Sequence, residues 1–266
     1  MISTIIWGLF ALTYACIASK SLVNNYETAK LIIYAAGFIG LTSTFISKLY
    51  CNSFTFYLYW NRFKYKLRNY TTKWKITIRY DGTFPPEVIK VIEQYILAKK
   101  ENGKILHANN NSINFTINDA LNFYLDYQPK HINKCSFDTL DVSLTTFEIG
   151  CNDSKAKLDT EIIPILTELN TLIKPDNVSY ALSISFIDNP FFALLLSHLK
   201  DEYIKSFSLD LKLNKYNVGE NADKVSINKS NIVINSNDLH SLNELAKDFI
   251  YLSNNLKHYV KGTKNA

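Results

Sequence analysis

The sequence predicts an α+β domain held behind an N-terminal hairpin of two transmembrane helices. Three observations support this: two long uncharged segments near the N terminus, a run of cations after the second, and mixed strand and helix patterns beyond. At 266 residues and 47% hydrophobic content, the chain is long enough and apolar enough for a substantial core. We divide it into a hairpin over 1–49, a basic aromatic segment over 50–73, and an α+β domain over 74–266.

Two uncharged segments predict the hairpin. Residues 2–19 would form a helix about 27 Å long, and residues 31–47, between Lys30 and Lys48, one about 26 Å long. The hydrocarbon core of a bilayer is about 30 Å thick, so each segment is near the lower length limit for a span. The short polar link between them can only join antiparallel neighbours. A helical hairpin buried inside a soluble protein is the alternative interpretation.

The distribution of charge predicts the orientation of the hairpin. The formal net charge is +5, but residues 1–75 hold nine Lys or Arg and one acid, so the rest of the chain is mildly acidic. Most of these cations follow the second span, which places both termini and the α+β domain in the cytoplasm. Within this group we expect four side chains to contact anionic lipid at the membrane surface: Arg62, Lys64, Lys66 and Arg68.

Small residues recur along one side of the second helix. Small faces let helices approach closely inside lipid, so the stripe has two interpretations. Either the stripe packs within the hairpin, or it lines a pore built by several hairpins. A pore requires a homo-oligomer, and we expect a tetramer. A ring of Phe side chains can close such a pore by excluding water. The candidate pore-lining residues are Gly37, Gly40, Thr44 and Ser47, flanked by Phe38 and Phe45, either of which is a candidate gate.

The α+β domain is predicted to contain two similar successions of elements, which we call rounds. Each round consists of a strand, a helix, several strands and a second helix. The two halves cover residues 74–175 and 176–262. A tandem duplication would give a pseudo-twofold body with a cleft between the halves, and one irregular α+β domain is the alternative. The first round has strands at 75–80, 105, 113–117, 121–127 and 140–149, and helices at 85–100 and 153–173. The second has strands at 178–187, 206–213, 225–227 and 232–234, and helices at 190–203 and 239–259, the last capped by Asp238.

No catalytic, metal-binding or cofactor-binding motif is present. The five His residues are scattered, and the sequence has no spacing typical of zinc ligands, nucleophile elbows or phosphate-binding glycine loops. We therefore expect no enzyme activity, no metal and no cofactor. Three acidic residues near one strand, Asp138, Asp141 and Glu148, are interpreted as a solvated strand edge rather than as a site.

Two Tyr/Lys clusters occupy corresponding places in the two rounds. Tyr rings can stack on bases and Lys can bind phosphate, so the clusters are candidate contacts for a nucleotide or oligonucleotide, although exposed strand ends would look the same. The mildly acidic domain argues against duplex nucleic acid as a partner. The clusters are Tyr124, Tyr127 and Lys130, and Lys212, Lys215 and Tyr216.

The order of these parts resembles the two-span membrane effectors of bacterial anti-phage systems, of the Hailong type or the CBASS type. The resemblance is carried by the spans at 2–19 and 31–47, the basic segment 62–68 and the sensor-like domain, and no site residue is carried over from those families. It implies a bacterial inner-membrane protein whose cytoplasmic domain senses a nucleotide messenger and opens an oligomeric pore. The alternative is a membrane-anchored binding module, such as an adaptor or a toxin-immunity protein, without pore activity.

Overall fold

The chain forms two compact units, Met1–Phe63 and Lys64–Ala266, which we describe separately. The structure is a computed structural model. It describes residues 2–24, 28–68, 71–99, 103–117, 121–130, 136–146, 148–186, 189, 206–213, 223–250 and 256. The helices are α1 (Ile2–Asn24), α2 (Thr28–Asn52), α3 (Phe54–Arg68), α4 (Val88–Lys99), α5 (Cys151–Lys157), α6 (Ile163–Ile173) and α7 (Leu239–Ile250).

Helices α1 and α2 pack against each other as an antiparallel pair. Gly8 lies against Phe45, while Tyr14, further along α1, lies against Gly37, earlier in α2. The apolar side chains on the other sides of both helices remain uncovered by protein. Those between 59% and 67% exposed are Leu9, Phe10, Leu12, Ile17, Ile32, Ile33 and Ile39.

Helix α3 is a separate helix that begins directly after α2. The Ser53 hydroxyl oxygen accepts a hydrogen bond from the Phe56 backbone N–H at 3.3 Å, which caps the first turn of α3. The segment predicted as a basic aromatic stretch over 50–73 is therefore mostly helical, and the first strand begins at Thr71 rather than at residue 75.

The second unit is built on one antiparallel sheet of ten strands. The strand order is β2-β3-β4-β5-β1-β7-β10-β9-β8, with the short β6 paired to β1. The α+β class predicted for this part of the chain is confirmed. The strands are β1 (Thr71–Gly82), β2 (Gly103–Ala108), β3 (Ser112–Ile117), β4 (Leu121–Gln128), β5 (Asp138–Thr146), β6 (Ile149–Gly150), β7 (Asn177–Phe186), β8 (Ser208–Leu213), β9 (Asp223–Asn228) and β10 (Asn231–Ser236).

The first strands of the two predicted rounds pair in the middle of this sheet. Strands β1 and β7 are antiparallel neighbours from the Thr72–Phe186 pair to the Asp81–Asn177 pair. The other strands of each round extend outward from this centre, in the orders β5-β4-β3-β2 and β10-β9-β8. The two halves are therefore not separate bodies, because backbone hydrogen bonds join them into one continuous sheet.

One face of the sheet carries the core. Along β1 the side chains of Trp74, Ile76, Ile78 and Tyr80 are buried, while the alternate side chains are exposed or half-buried. Apolar residues of the helices complete this core, among them Ile92 of α4, Leu166 and Leu169 of α6, and Leu245 and Phe249 of α7.

The helix predicted over 153–173 is interrupted by a π-helical turn, Leu158–Ile162. The cause is Pro164, which has no N–H and whose ring would clash with the carbonyl of Thr160 in a regular helix. The Ile163 N–H instead bonds to the Leu158 carbonyl, five residues back, and α6 then continues to Ile173.

Helix α7 begins where the sequence predicted. The Asp238 carboxylate accepts a hydrogen bond from the Ser241 N–H at 2.8 Å, which confirms the predicted N-cap. The predicted helix over 190–203 lies outside the described residues, as does nearly all of the chain after Ile250.

Candidate membrane and ligand-binding surfaces

The predicted small-residue stripe of α2 divides between two sides of the helix. A Cβ added at Gly37 would meet the hydroxyl oxygen of Tyr14 and lie 2.7 Å from its Cζ atom. A Cβ added at Gly40 would have no atom within 4 Å. Gly37 therefore lies in the contact between α1 and α2, and Gly40 lies outside it.

The other candidate pore residues divide in the same way. Phe45 packs at Gly8 inside the hairpin, whereas Phe38 is 43% exposed and Ser47 is exposed. The Thr44 hydroxyl donates to the Gly40 carbonyl at 2.9 Å within its own helix. Phe38 and Phe45, each predicted as a candidate gate, thus occupy different environments.

A different small-residue face of α2 is open. Ala36, Gly40, Ser43 and Ser47 are all exposed and follow one another at steps of four, three and four residues. Of these four residues, only Gly40 and Ser47 belong to the predicted stripe. Helical spacing measured from Gly40 could have found the other two, but only the contacts with α1 show which face is free.

Within the described residues, α2 provides one segment, Ile32–Asn52, that is long and apolar enough to cross a membrane. None of its most apolar stretch is buried in protein. A core helix of a soluble protein would have most of its length covered. This favours the predicted membrane interpretation over that of a buried hairpin.

The candidate membrane-surface cations lie on α3, among aromatic rings. The Arg62 guanidinium carbon lies 5.4 Å from the centroid of the Tyr59 ring, and Lys64 is half-buried. Lys66 and Arg68 belong to the same helix, but their side chains lie outside the described residues. The sequence identified the cations and did not identify the helix that arranges them.

The outer face of the ten-stranded sheet is mostly polar. Most of its hydroxyl, amide and charged side chains are exposed or half-buried. At the centre, Lys75 of β1 lies between Thr145 of β5 and Ser183 of β7. Antiparallel sheets often have one solvated face, so polarity alone does not identify a ligand site.

The sheet separates the candidate ligand residues of the first cluster. Tyr124 lies on the outer face and is 44% exposed. Tyr127 points toward the core, is 7% exposed and lies beside Asp138; burial and the Asp138 charge raise the pKa of its hydroxyl. Lys130 is exposed, two residues after the end of β4. Tyr127 therefore cannot share the outer surface with Tyr124.

The second cluster lies at the other end of the sheet. Lys212 of β8 is exposed on the outer face, while Lys215 and Tyr216 lie outside the described residues. Six strand steps separate Lys212 from Tyr124, a distance of about 29 Å at the usual strand spacing of about 4.8 Å. One mononucleotide cannot contact both.

A pair of lysines marks the β8 end of the outer face. Lys212 is directly opposite Lys224 of β9, and Lys224 is directly opposite Asn235 of β10. All three are exposed, and Asp210 lies two residues before Lys212 on the same face. Like charges directly opposite each other destabilise a sheet, and an anion bound between them would offset that cost. Lys224 was not among the predicted ligand residues, because the pairing register cannot be read from either strand alone.

Acids surround Arg79 near the middle of the outer face, on β1, β5 and β4. Asp141 is directly opposite both Arg79 and Asp126. Asp81 forms a salt bridge with Arg79 at 3.1 Å. Burial, together with the charges of Asp126 and Asp81, raises the pKa of Asp141, although Arg79 acts in the opposite direction.

Replacement of Asp141 by Asn is expected to stabilise the fold at neutral pH by about 0.5 kcal/mol. The folded-state pKa lies above the ordinary value of 3.8, so the folded chain binds more protons than the unfolded chain between those two values. Stability is therefore lost as pH rises through this interval, and Asn removes that loss. Urea unfolding should show the gain near pH 7 and almost none near pH 3. Asp210→Asn, opposite Ser226 on the same face, is the matched control and should show no gain.

Of the three acids predicted to form a solvated strand edge, two are at least partly exposed. Asp141 is partly exposed, and Glu148 is 58% exposed with an ion pair to Lys73 at 3.0 Å. Asp138 is instead buried and accepts hydrogen bonds from two backbone N–H groups. In the part of the chain that the structure describes, no group of His, Cys, Asp and Glu side chains could hold a metal ion.

No protein-family model and no curated protein matches this chain.

Proposed function

We propose that the protein is a membrane-anchored binding module whose sheet binds a nucleotide-type ligand through Lys212 and Lys224. The single observation that carries the ligand part is the direct opposition of these two exposed lysines on the polar face of the sheet. The resemblance to nucleotide-sensing membrane effectors supplies the ligand class. The similar strand order of the two halves is consistent with the tandem duplication of an α+β unit, which we also propose.

The anchoring part rests on the uncovered apolar surface of the hairpin. Both α1 and α2 expose large apolar side chains that water would solvate poorly, and a bilayer would cover them. We propose that both helices span the bacterial inner membrane. The cations after α2 then keep the second unit in the cytoplasm.

Calorimetric titration of the full-length protein in nanodiscs with cyclic dinucleotides and trinucleotides tests the ligand site. At least one of these probes should bind, and Lys212→Gln with Lys224→Gln should weaken it by about tenfold to a hundredfold, since two charge-assisted contacts are lost. Lys104→Gln, an exposed lysine on the far edge strand, is the matched control and should bind as the wild type does. Absence of binding by every probe, or equal binding by the double variant, would refute the assignment.

A ligand-gated homo-oligomeric pore, with a tetramer as the expected assembly, is the second candidate. The open face formed by Ala36, Gly40, Ser43 and Ser47 favours it, because small and hydroxyl side chains allow close helix contact in lipid. A role in anti-phage defence would follow if ligand binding opened such a pore. Phe38 remains on an exposed side of α2, whereas Phe45 is occupied within the hairpin.

A further inference from the structure

We propose that α3 is an interfacial helix that lies in the plane of an anionic bilayer and inserts its aromatic side among the lipid headgroups. This inference rests on the proposed membrane anchoring. It adds a lipid-binding surface to the hairpin, and that surface belongs to the helix that links the hairpin to the sheet.

The exposed side of α3 is apolar and continuous. Tyr59, Phe63 and Leu67 are 54%, 53% and 68% exposed and follow one another at steps of four residues. Phe56 and Trp60 lie on the same side of the helix by spacing, and their rings are stacked with centroids 6.0 Å apart. The Trp60 ring also contacts Phe63, at 6.1 Å between centroids. A water-exposed helix would carry polar residues at these positions.

The opposite side of α3 is already buried. Tyr57, Leu58 and Asn61 are between 0% and 7% exposed. The Asn61 amide donates to the Tyr57 carbonyl at 2.9 Å, so its polar group is satisfied. The helix therefore needs its buried side for the fold, and the aromatic side remains as an unpartnered surface.

Cations border the aromatic side on both flanks. At 100° per residue, Arg62 and Lys64 lie on opposite flanks of the stripe. Lys66 follows Arg62 by one helical turn, and Arg68 follows Lys64 by one turn. This is the arrangement of helices that rest on membranes, in which aromatic rings lie at headgroup level and cations reach lipid phosphates. Arg62, held over the Tyr59 ring, combines both contacts in one place.

The position of α3 in the chain, directly after the proposed span, indicates that lipid covers its aromatic side. Only Ser53 separates α3 from α2, whose apolar segment extends to Asn52. The aromatic stripe therefore begins at the depth where the proposed span leaves the hydrocarbon. Phe, Tyr and Trp are the residues that favour that depth, and the flanking cations complement anionic headgroups.

Tryptophan quenching by brominated lipids in nanodiscs tests this surface in the full-length protein. The fluorescence difference between wild type and Trp60→Phe isolates Trp60 from Trp7 and Trp74. Bromine near the headgroup should quench Trp60 strongly, and bromine near the chain end should quench it little. Replacing Tyr59, Phe63 and Leu67 together by Ser should reduce the quenching by at least about twofold, because the inserted apolar area is lost.

Two double variants complete the experiment: the first is a control, and the second tests the dependence on anionic lipid. Val91→Ser with Leu97→Ser removes similarly exposed apolar side chains from α4, at 39% and 54% exposure, and should not change Trp60 quenching. Arg62→Gln with Lys64→Gln should lower quenching when phosphatidylglycerol is present and leave it unchanged in pure phosphatidylcholine. Each cation near an anionic surface contributes about 1 kcal/mol, or about fivefold in partitioning.

The outcomes separate this inference from the anchoring itself. If extraction with alkaline carbonate removes the wild-type protein from membranes, the proposed anchoring is refuted. If the protein resists carbonate but Trp60 is not quenched in either lipid, the hairpin anchors alone and α3 is not a lipid surface. A protein partner as the occupant of the aromatic side would give this second result.

Discussion

Replacing Asp138 by Ala is expected to lower the free energy of unfolding by about 3 kcal/mol, the largest effect we predict for a single polar residue of this chain. Asp138 is 6% exposed at the start of β5. One carboxylate oxygen accepts the Phe84 N–H at 3.1 Å, and the other accepts the Lys130 N–H at 2.8 Å. The side chain thus ties the loop before α4 to the segment that follows β4.

The cost arises because Ala leaves buried donors without acceptors. Each orphaned donor costs about 1–3 kcal/mol, and hydrogen bonds to a charged group are at the upper end of the usual range. Asn at this position keeps one acceptor and turns an N–H₂ group toward the other donor. We expect it to lose about half as much stability as Ala does.

Urea titration of the full-length protein in detergent, with the folded fraction read by pulse proteolysis, measures this effect. Asp126→Ala is the matched control, because Asp126 is a carboxylate on the next strand whose described bond is to Gln128 on the exposed side. It should change stability by at most about 0.5 kcal/mol. Equal effects of the two substitutions would mean that Asp138 does not hold the loops.

Gly37→Leu is expected to destabilise the helical hairpin by about 2 kcal/mol, because it forces a side chain into the space of Tyr14. The nearest obstacle is the hydroxyl end of the tyrosine, which can move. Gly37→Leu combined with Tyr14→Ala should therefore recover more than half of the loss. Titration with sodium dodecyl sulfate in mixed micelles, followed by helical circular dichroism, measures the stability of the hairpin.

Gly40→Leu is the matched substitution on the open side of the same helix. With no atom within 4 Å of a Cβ at this position, it should leave the hairpin stability within about 0.5 kcal/mol of wild type. If the open face assembles a pore, Gly40→Leu should abolish the oligomer and potassium leakage from liposomes. A hairpin weakened equally by both substitutions would contradict the described packing of α1 and α2. Intact oligomers and leakage in Gly40→Leu would exclude this face from the pore.

The two Tyr residues of the first candidate cluster show what could have been predicted. Tyr124 and Tyr127 are three positions apart in one strand, and an odd spacing places side chains on opposite faces of a sheet. Phe123 and Leu125 already mark which face is apolar. The inward position of Tyr127 was therefore available from the sequence, and our interpretation of the cluster as one surface was wrong.

Pairing register was not available in the same way. Lys212 and Lys224 belong to strands separated by residues 214–222, and their opposition depends on which residues exchange hydrogen bonds. A shift of one residue would have turned every side chain of β8 to the other face. Register is fixed by the burial of the whole apolar set, which is a property of the folded sheet.

The sequence alone determined the order and type of most elements, because apolar periodicity and capping residues act over a few neighbours. It identified the two N-terminal helices, the alternation of β1 and the Asp238 cap. The tertiary structure decided how distant segments share surfaces. It joined β1 to β7 in one sheet, assigned Gly37 to the α1 contact and Gly40 to the outside, and gave Asp138 a buried role. These outcomes depend on packing between segments far apart in the chain, and the energy of such contacts is not encoded in any local pattern.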